Sequence, residues 1–167
     1  MPTHRLLLLA LIATTILLPA CKKAQDAAVE AAVERATGAK VDKDGNTVTV
    51  KTDKGDMRIT TAADGEAVAL PAGFPSDLYL PAPHKVDSVM AMGSAHMVNL
   101  TTPMATADVH AGVVAAMQRG GWTQELAMQT GEGSTLAYRK DKRQAFYQLV
   151  KQDGGGTQLA IRAGSDE

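Results

Sequence analysis

Apolar and polar positions alternate with period two over most of the chain beyond residue 46, the pattern of strands with one face on a core and one in water. Val48 and Val50 alternate with Thr47, Thr49 and Lys51. After a Gly-containing turn, Met57, Ile59 and Thr61 alternate with Arg58 and Thr60. Two such runs predict a β-hairpin. A second hairpin follows. Val86, Ser88, Met90 and Met92 read as one face of its first strand, Gly93-Ser94 as a two-residue turn, and residues 95–101 as the return. That turn sets Met92 opposite Ala95 and Met90 opposite Met97, with His96 pointing away from Met97.

The period then changes. Val109, Val113, Ala116 and Met117 recur at helical spacing and predict an amphipathic helix. Thr106 is its expected N-cap, Asp108 complements its first turn, Arg119 its last, and Gly120-Gly121 stops it. Period two resumes over 122–130, 135–140, 143–151 and 157–162. Leu136 and Tyr138, then Ala145, Tyr147 and Leu149, then Leu159 and Ile161 form one set. Thr135, Arg139, Gln144, Gln148, Gln158 and Arg162 form the other. Phe146 and Val150 break the alternation, which predicts a central strand or one covered on both sides. The order from Val86 is β-β-α-β-β-β-β, and short connections make neighbours antiparallel. The expected class is α+β: one amphipathic helix packed on a curved antiparallel sheet, preceded by a membrane-proximal helix and a β-hairpin.

The segments outside this pattern have other roles. Residues 70–83, LPAGFPSDLYLPAP, carry too many prolines for a helix and read as an extended linker that lays Phe74, Leu78, Tyr79 and Leu80 on a neighbouring surface. Asp42 to Asn46 invites a calcium-loop reading, but the spacing to Gly45 and Asp53 is out of register, so Asp44-Gly45 reads as a turn. Residues 22–37, KKAQDAAVEAAVERAT, are alanine-rich with a narrow stripe of Val29, Val33 and Ala36, a helical tether ended by Gly38. Residues 6–18 are apolar apart from Thr14 and Thr15, follow His4 and Arg5, and stop at Pro19. A membrane span needs about 20 apolar residues and a secretion-signal core about 7–15, so this run reads as a signal peptide.

Cys21, the only cysteine, follows at once. Leu18-Pro19-Ala20-Cys21 resembles the lipobox of bacterial lipoproteins, departing from the usual small residue at Pro19. The resemblance implies a lipid on the Cys21 sulfur, cleavage just before it, and no free thiol. Lys22 stands where aspartate would favour inner-membrane retention, so the same resemblance implies the outer membrane, facing the periplasm. The body is similar to small Gram-negative envelope lipoproteins of uncharacterised role. Its architecture resembles the helix-grip-like domains of some outer-membrane assembly lipoproteins. The chain thus divides into a signal peptide (1–20), a lipidated cysteine with helical tether (21–40), a hairpin region (41–69), a Pro-rich linker (70–85), an α+β domain (86–163) and a disordered tail (164–167).

Composition narrows the function. Cleavage before Cys21 removes Arg5 and leaves 16 basic against 18 acidic side chains, a balance that argues against nucleic acid. Aromatic residues are only 4%, which disfavours an aromatic-lined groove. The chain has no G-x-S-x-G and no H-E-x-x-H, and its glycine clusters open no helix. The expectation is therefore a non-enzymatic, membrane-anchored module that binds an envelope protein, with no cofactor beyond the covalent lipid. The alternative is a metal- or small-ligand-binding lipoprotein. Met90, Met92, His96 and Met97 lie on one hairpin, and thioether with imidazole suits Cu(I). The same methionines also fit plain core packing.

Overall fold

The computed structural model describes residues 40–52 and 55–165. The signal segment, Cys21 and the expected 22–37 helix lie outside them. The fold is α+β and mostly sheet. Nine strands form one open antiparallel sheet: β1 (Lys40–Asp44), β2 (Thr47–Thr52), β3 (Gly55–Thr61), β4 (Lys85–Met92), β5 (Ala95–Thr102), β6 (Thr123–Gln129), β7 (Gly133–Lys140), β8 (Arg143–Lys151) and β9 (Thr157–Ser165). The one helix among the described residues, α1 (Thr106–Arg119), joins β5 to β6. Spatial order is β1-β2-β3-β4-β5-β9-β8-β7-β6. After β5 the chain therefore crosses to the far edge over α1 and meanders back until β9 closes on β5.

The core lies on the sheet face that α1 covers. Val109, Val113 and Met117 of α1 are fully buried against Leu136, Tyr138, Tyr147, Leu149, Leu159 and Ile161. Burying each such helix side chain contributes about 1.5–3 kcal/mol. The proline-rich segment lies on the same face. Leu78 is buried, and Phe74, Tyr79 and Leu80 pack beside it. Its backbone is tied down where Tyr79 N–H donates to Tyr147 Oη at 2.9 Å. The Ala62 and Val68 N–H groups donate to the Asp87 and Val86 carbonyls at 2.7 and 2.9 Å.

Several expectations need correction. β1 is a strand, although KVDKD was expected to hold the tether's end and a turn. Pairing to one neighbour is enough for a charged edge strand, and charge there discourages further pairing. Thr106 does not cap α1. Ala105 is the cap residue, with no side-chain cap bond, because the Thr106 hydroxyl instead meets Thr157 Oγ1 at 3.1 Å. β9 runs on to Ser165, with Gly164 paired to Gln144, so the expected tail boundary falls inside a strand. Val86 does not share a face with Ser88, Met90 and Met92. A bulge at Asp87 breaks the register between Val86 and Ser88, so that Val86 and Val89 both reach the core. β8 is central, but Phe146 is 42% exposed, so no described residue covers its second face.

Candidate functional site

The face opposite α1 carries the predicted methionines. Cross-strand pairing sets Met92 beside Ala95 and Met90 beside Met97, the expected register. It also aligns rows that local sequence does not reveal. One row runs Lys43, Val48, Ile59, Met90, Met97, Arg162, Phe146, Ala137, Leu126 across all nine strands. The next begins Val41, Val50, Met57, Met92, Ala95. Over β1–β5 this is a continuous apolar field of half-buried side chains, with Met92 49% exposed. On β1–β3 the core-side positions are polar instead: Asp42, Thr47, Thr49, Lys51, Asp56, Arg58 and Thr60. The sheet therefore changes which face is apolar between its two halves. Both described covering elements, α1 and the 62–84 segment, lie on the core side.

Charge on the methionine face is one-sided. Lys43, Lys85, Arg139 and Arg162 stand on it. Among the described residues, the only carboxylates near it belong to the bulge residues Asp87 and Glu125, and each lies beside a cation. Lys85 Nζ is 4.0 Å from Asp87, and Arg139 Nε 2.6 Å from Glu125. Arg162 is exposed and has no hydrogen-bond or ion-pair partner among the described residues.

His96 belongs to the other face. Its cross-strand neighbour is Ala163, which is buried, and its ring meets Phe74 edge-on at 6.2 Å. The sheet thus brings Met90, Met92 and Met97 together, adds Met57, and separates His96 from all of them. Among the described residues no three His, Cys, Asp or Glu side chains gather where they would hold a metal ion.

Two polar features of the core side were not legible in the sequence. Asp77, from the proline-rich segment, clamps the β7–β8 turn. Arg143 donates from both arms to its two oxygens at 2.9 and 2.7 Å, and Lys140 donates at 3.3 Å. These bonds, Arg143's first, hold the Asp77 carboxyl at about 2, below its ordinary 3.8, against the opposing effect of burial. The Arg143 guanidinium lies 4.8 Å above the Trp122 ring. Beside it, Trp122 Nε1 and His96 Nδ1 are buried without a hydrogen-bond partner among the described residues, and a buried group left unpaired costs about 1–3 kcal/mol. A wider cleft of about 610 Å³ opens between the 62–72 segment and β3–β4, with Arg58 and Glu66 at its wall and Val89 and Ala91 at its floor. Compared with known proteins, the chain matches no family model, no curated protein and no solved structure.

Proposed function

We propose that the protein is a lipid-anchored cell-envelope module, attached through Cys21 to the outer membrane on its periplasmic side, that docks a protein partner on its methionine face. The reading includes a membrane-proximal helix over 22–37 and a curved sheet. One observation carries it: an apolar field of Val41, Val48, Val50, Met57, Ile59, Met90, Met92 and Met97 that no described element covers. Contiguous apolar surface of this kind marks interaction sites. The cations around it, with no unpaired carboxylate on this face among the described residues, select a partner surface that is apolar and edged with acidic groups. The reading is non-enzymatic.

A photo-cross-linking residue at position 97 tests this in intact cells. The expected result is one discrete protein adduct, weakened by Arg162→Glu and absent when the cross-linker sits at exposed Gln118 on α1. Lipid adducts alone, or equal labelling from both positions, would refute the docking face. Cys21→Ala separately tests the anchor: the chain should leave the membrane fraction, and an unprocessed variant of unchanged size and location would refute the lipidation.

A second reading rests on the grouping of Met57, Met90, Met92 and Met97, four thioethers at adjoining positions of the ladder. Thioethers suit Cu(I), and this version of the metal site dispenses with His96. Cu(I) titration decides it, and binding no tighter than about micromolar would end it.

A further inference from the structure

The core tapers at the end of the sheet near His96. One row in, Val98, Ile161 and Tyr147 fill the space between α1 and the sheet. In the row of His96 the neighbours are Ala91, Ala163 and Ala145, side chains too small to fill it. A hollow of about 170 Å³ results, walled by His96, Trp122 and Arg143 and roofed by Gly73 and Pro75. Gly73 is required in that roof. Its φ is +82°, in the left-handed region that favours glycine. The mouth lies at exposed Gly73, Ser94 and Ser165.

The polar groups around this hollow are unusual in what they lack. Trp122 is only 4% exposed, and its Nε1–H has no acceptor among the described residues. His96 Nδ1 is likewise buried and unpartnered among the described residues. Native proteins leave few such atoms unpaired, and one explanation is a ligand that pairs them when bound. The indole N–H can only donate, so it cannot ligate a metal and must meet an acceptor. Electrostatics point the same way. Lys140, Lys142 and Arg143 of the β7–β8 turn outweigh Asp141 and the bound Asp77 by one, so the turn whose Arg143 stacks over the indole is net positive.

We infer that the hollow between His96 and Trp122 is a binding site for a small carboxylate, whose oxygens accept from Trp122 Nε1–H and from His96 Nδ1–H in the donating tautomer. At about 30 Å³ per water-sized group, the space holds roughly six such groups, which limits the ligand to a short organic acid. This site is on the opposite face of the sheet from the methionines and does not depend on the docking reading.

The chain has a single tryptophan, so its indole N–H gives one resonance that reports directly on the site. The test uses the ¹⁵N-labelled full chain in detergent, titrated with sodium acetate and, separately, sodium chloride and acetamide. Acetate should move the indole cross-peak saturably, while the two controls leave it in place. His96→Leu should weaken acetate binding about tenfold or more, as loss of one hydrogen bond to a charged group does, and His96→Gln should recover most of it. Ala163→Val, which fills the hollow, should abolish the shift. An unmoved cross-peak, an equal response to chloride or acetamide, or undiminished binding by folded His96→Leu would each overturn the proposal.

Discussion

Replacing Asp77 with asparagine removes one negative charge and nothing else of size. The carboxylate joins the proline-rich segment to the β7–β8 turn by three charge-assisted bonds, to Arg143 at 2.9 and 2.7 Å and to Lys140 at 3.3 Å. Its pKa falls from 3.8 to about 2 on folding, so linkage sets a ceiling of roughly 2.4 kcal/mol on what ionisation contributes. The side chain is still 31% exposed, and solvent screening brings the expected loss down to about 1–2 kcal/mol. Because the folded pKa is the lower one, this stabilisation is fully present above the unfolded value near 3.8. It is lost as pH falls through about 2. Urea unfolding at pH 7 should therefore show Asp77→Asn less stable by about 1–2 kcal/mol, a midpoint drop of roughly 0.5–1 M. Repeated at steps down from about pH 4 to 2, the gap between wild type and variant should close. High salt should narrow it at pH 7 as well. A gap that stayed constant with falling pH, or none at pH 7, would refute the assignment of this clamp as an ionic one.

Other consequences follow from single side chains. Tyr147→Phe leaves the part-buried Tyr79 N–H without its acceptor at 2.9 Å and should cost about 1–2 kcal/mol in chemical denaturation. Burial pushes the Tyr147 phenol well above its ordinary value, so wild-type stability should fall above about pH 10, where the unfolded chain ionises this group, and the variant should fall less. Gly156→Ala should cost more than about 2 kcal/mol in thermal melting, because φ is +86° and the new Cβ would stand 2.5 Å from the Thr102 carbonyl. Arg162→Glu should leave melting within about 0.5 kcal/mol of wild type while weakening the position-97 adduct, since Arg162 is exposed and unpartnered among the described residues.

How much of this could be read from the chain alone depended on sequence distance. The β4–β5 hairpin was legible down to its register, because a two-residue turn at Gly93-Ser94 leaves no other pairing for Met90 and Met97. The α1 stripe of Val109, Val113 and Met117 was legible for the same local reason. Counting by two failed at Asp87, where one extra residue sends Val86 to the face of Val89. Nothing in the residue types marks that bulge. The Asp77–Arg143 clamp spans 66 residues and the His96–Trp122 hollow spans the β5–α1–β6 crossover. Both exist only because β9 returns to pair with β5. His96 read as a possible companion of the methionines by proximity in sequence, and strand alternation is what parts them.

The division of the sheet also bears on the proposed docking face. A 14-residue helix is about 21 Å long and covers about four strands at 4.8 Å spacing, and α1 sits over β6–β8. The 62–84 segment extends that cover as far as β4, where it bonds to Val86 and Asp87. Beyond it, on β2 and β3, the core-side residues are threonine, lysine, aspartate and arginine, which need no cover. Their opposite-side neighbours are Val48, Val50, Met57 and Ile59. Alternation with the reverse phase would have joined these residues to the existing core, yet β3 pairs with β4 in a register that turns them outward. The β1–β3 unit is thus amphipathic in the wrong sense for the core that the described chain completes, and in the right sense for a second apolar surface on the methionine side. Met90, Met92 and Met97 extend that surface onto β4 and β5. Methionine adapts to irregular partners more readily than branched side chains do, which suits the proposed docking on this face.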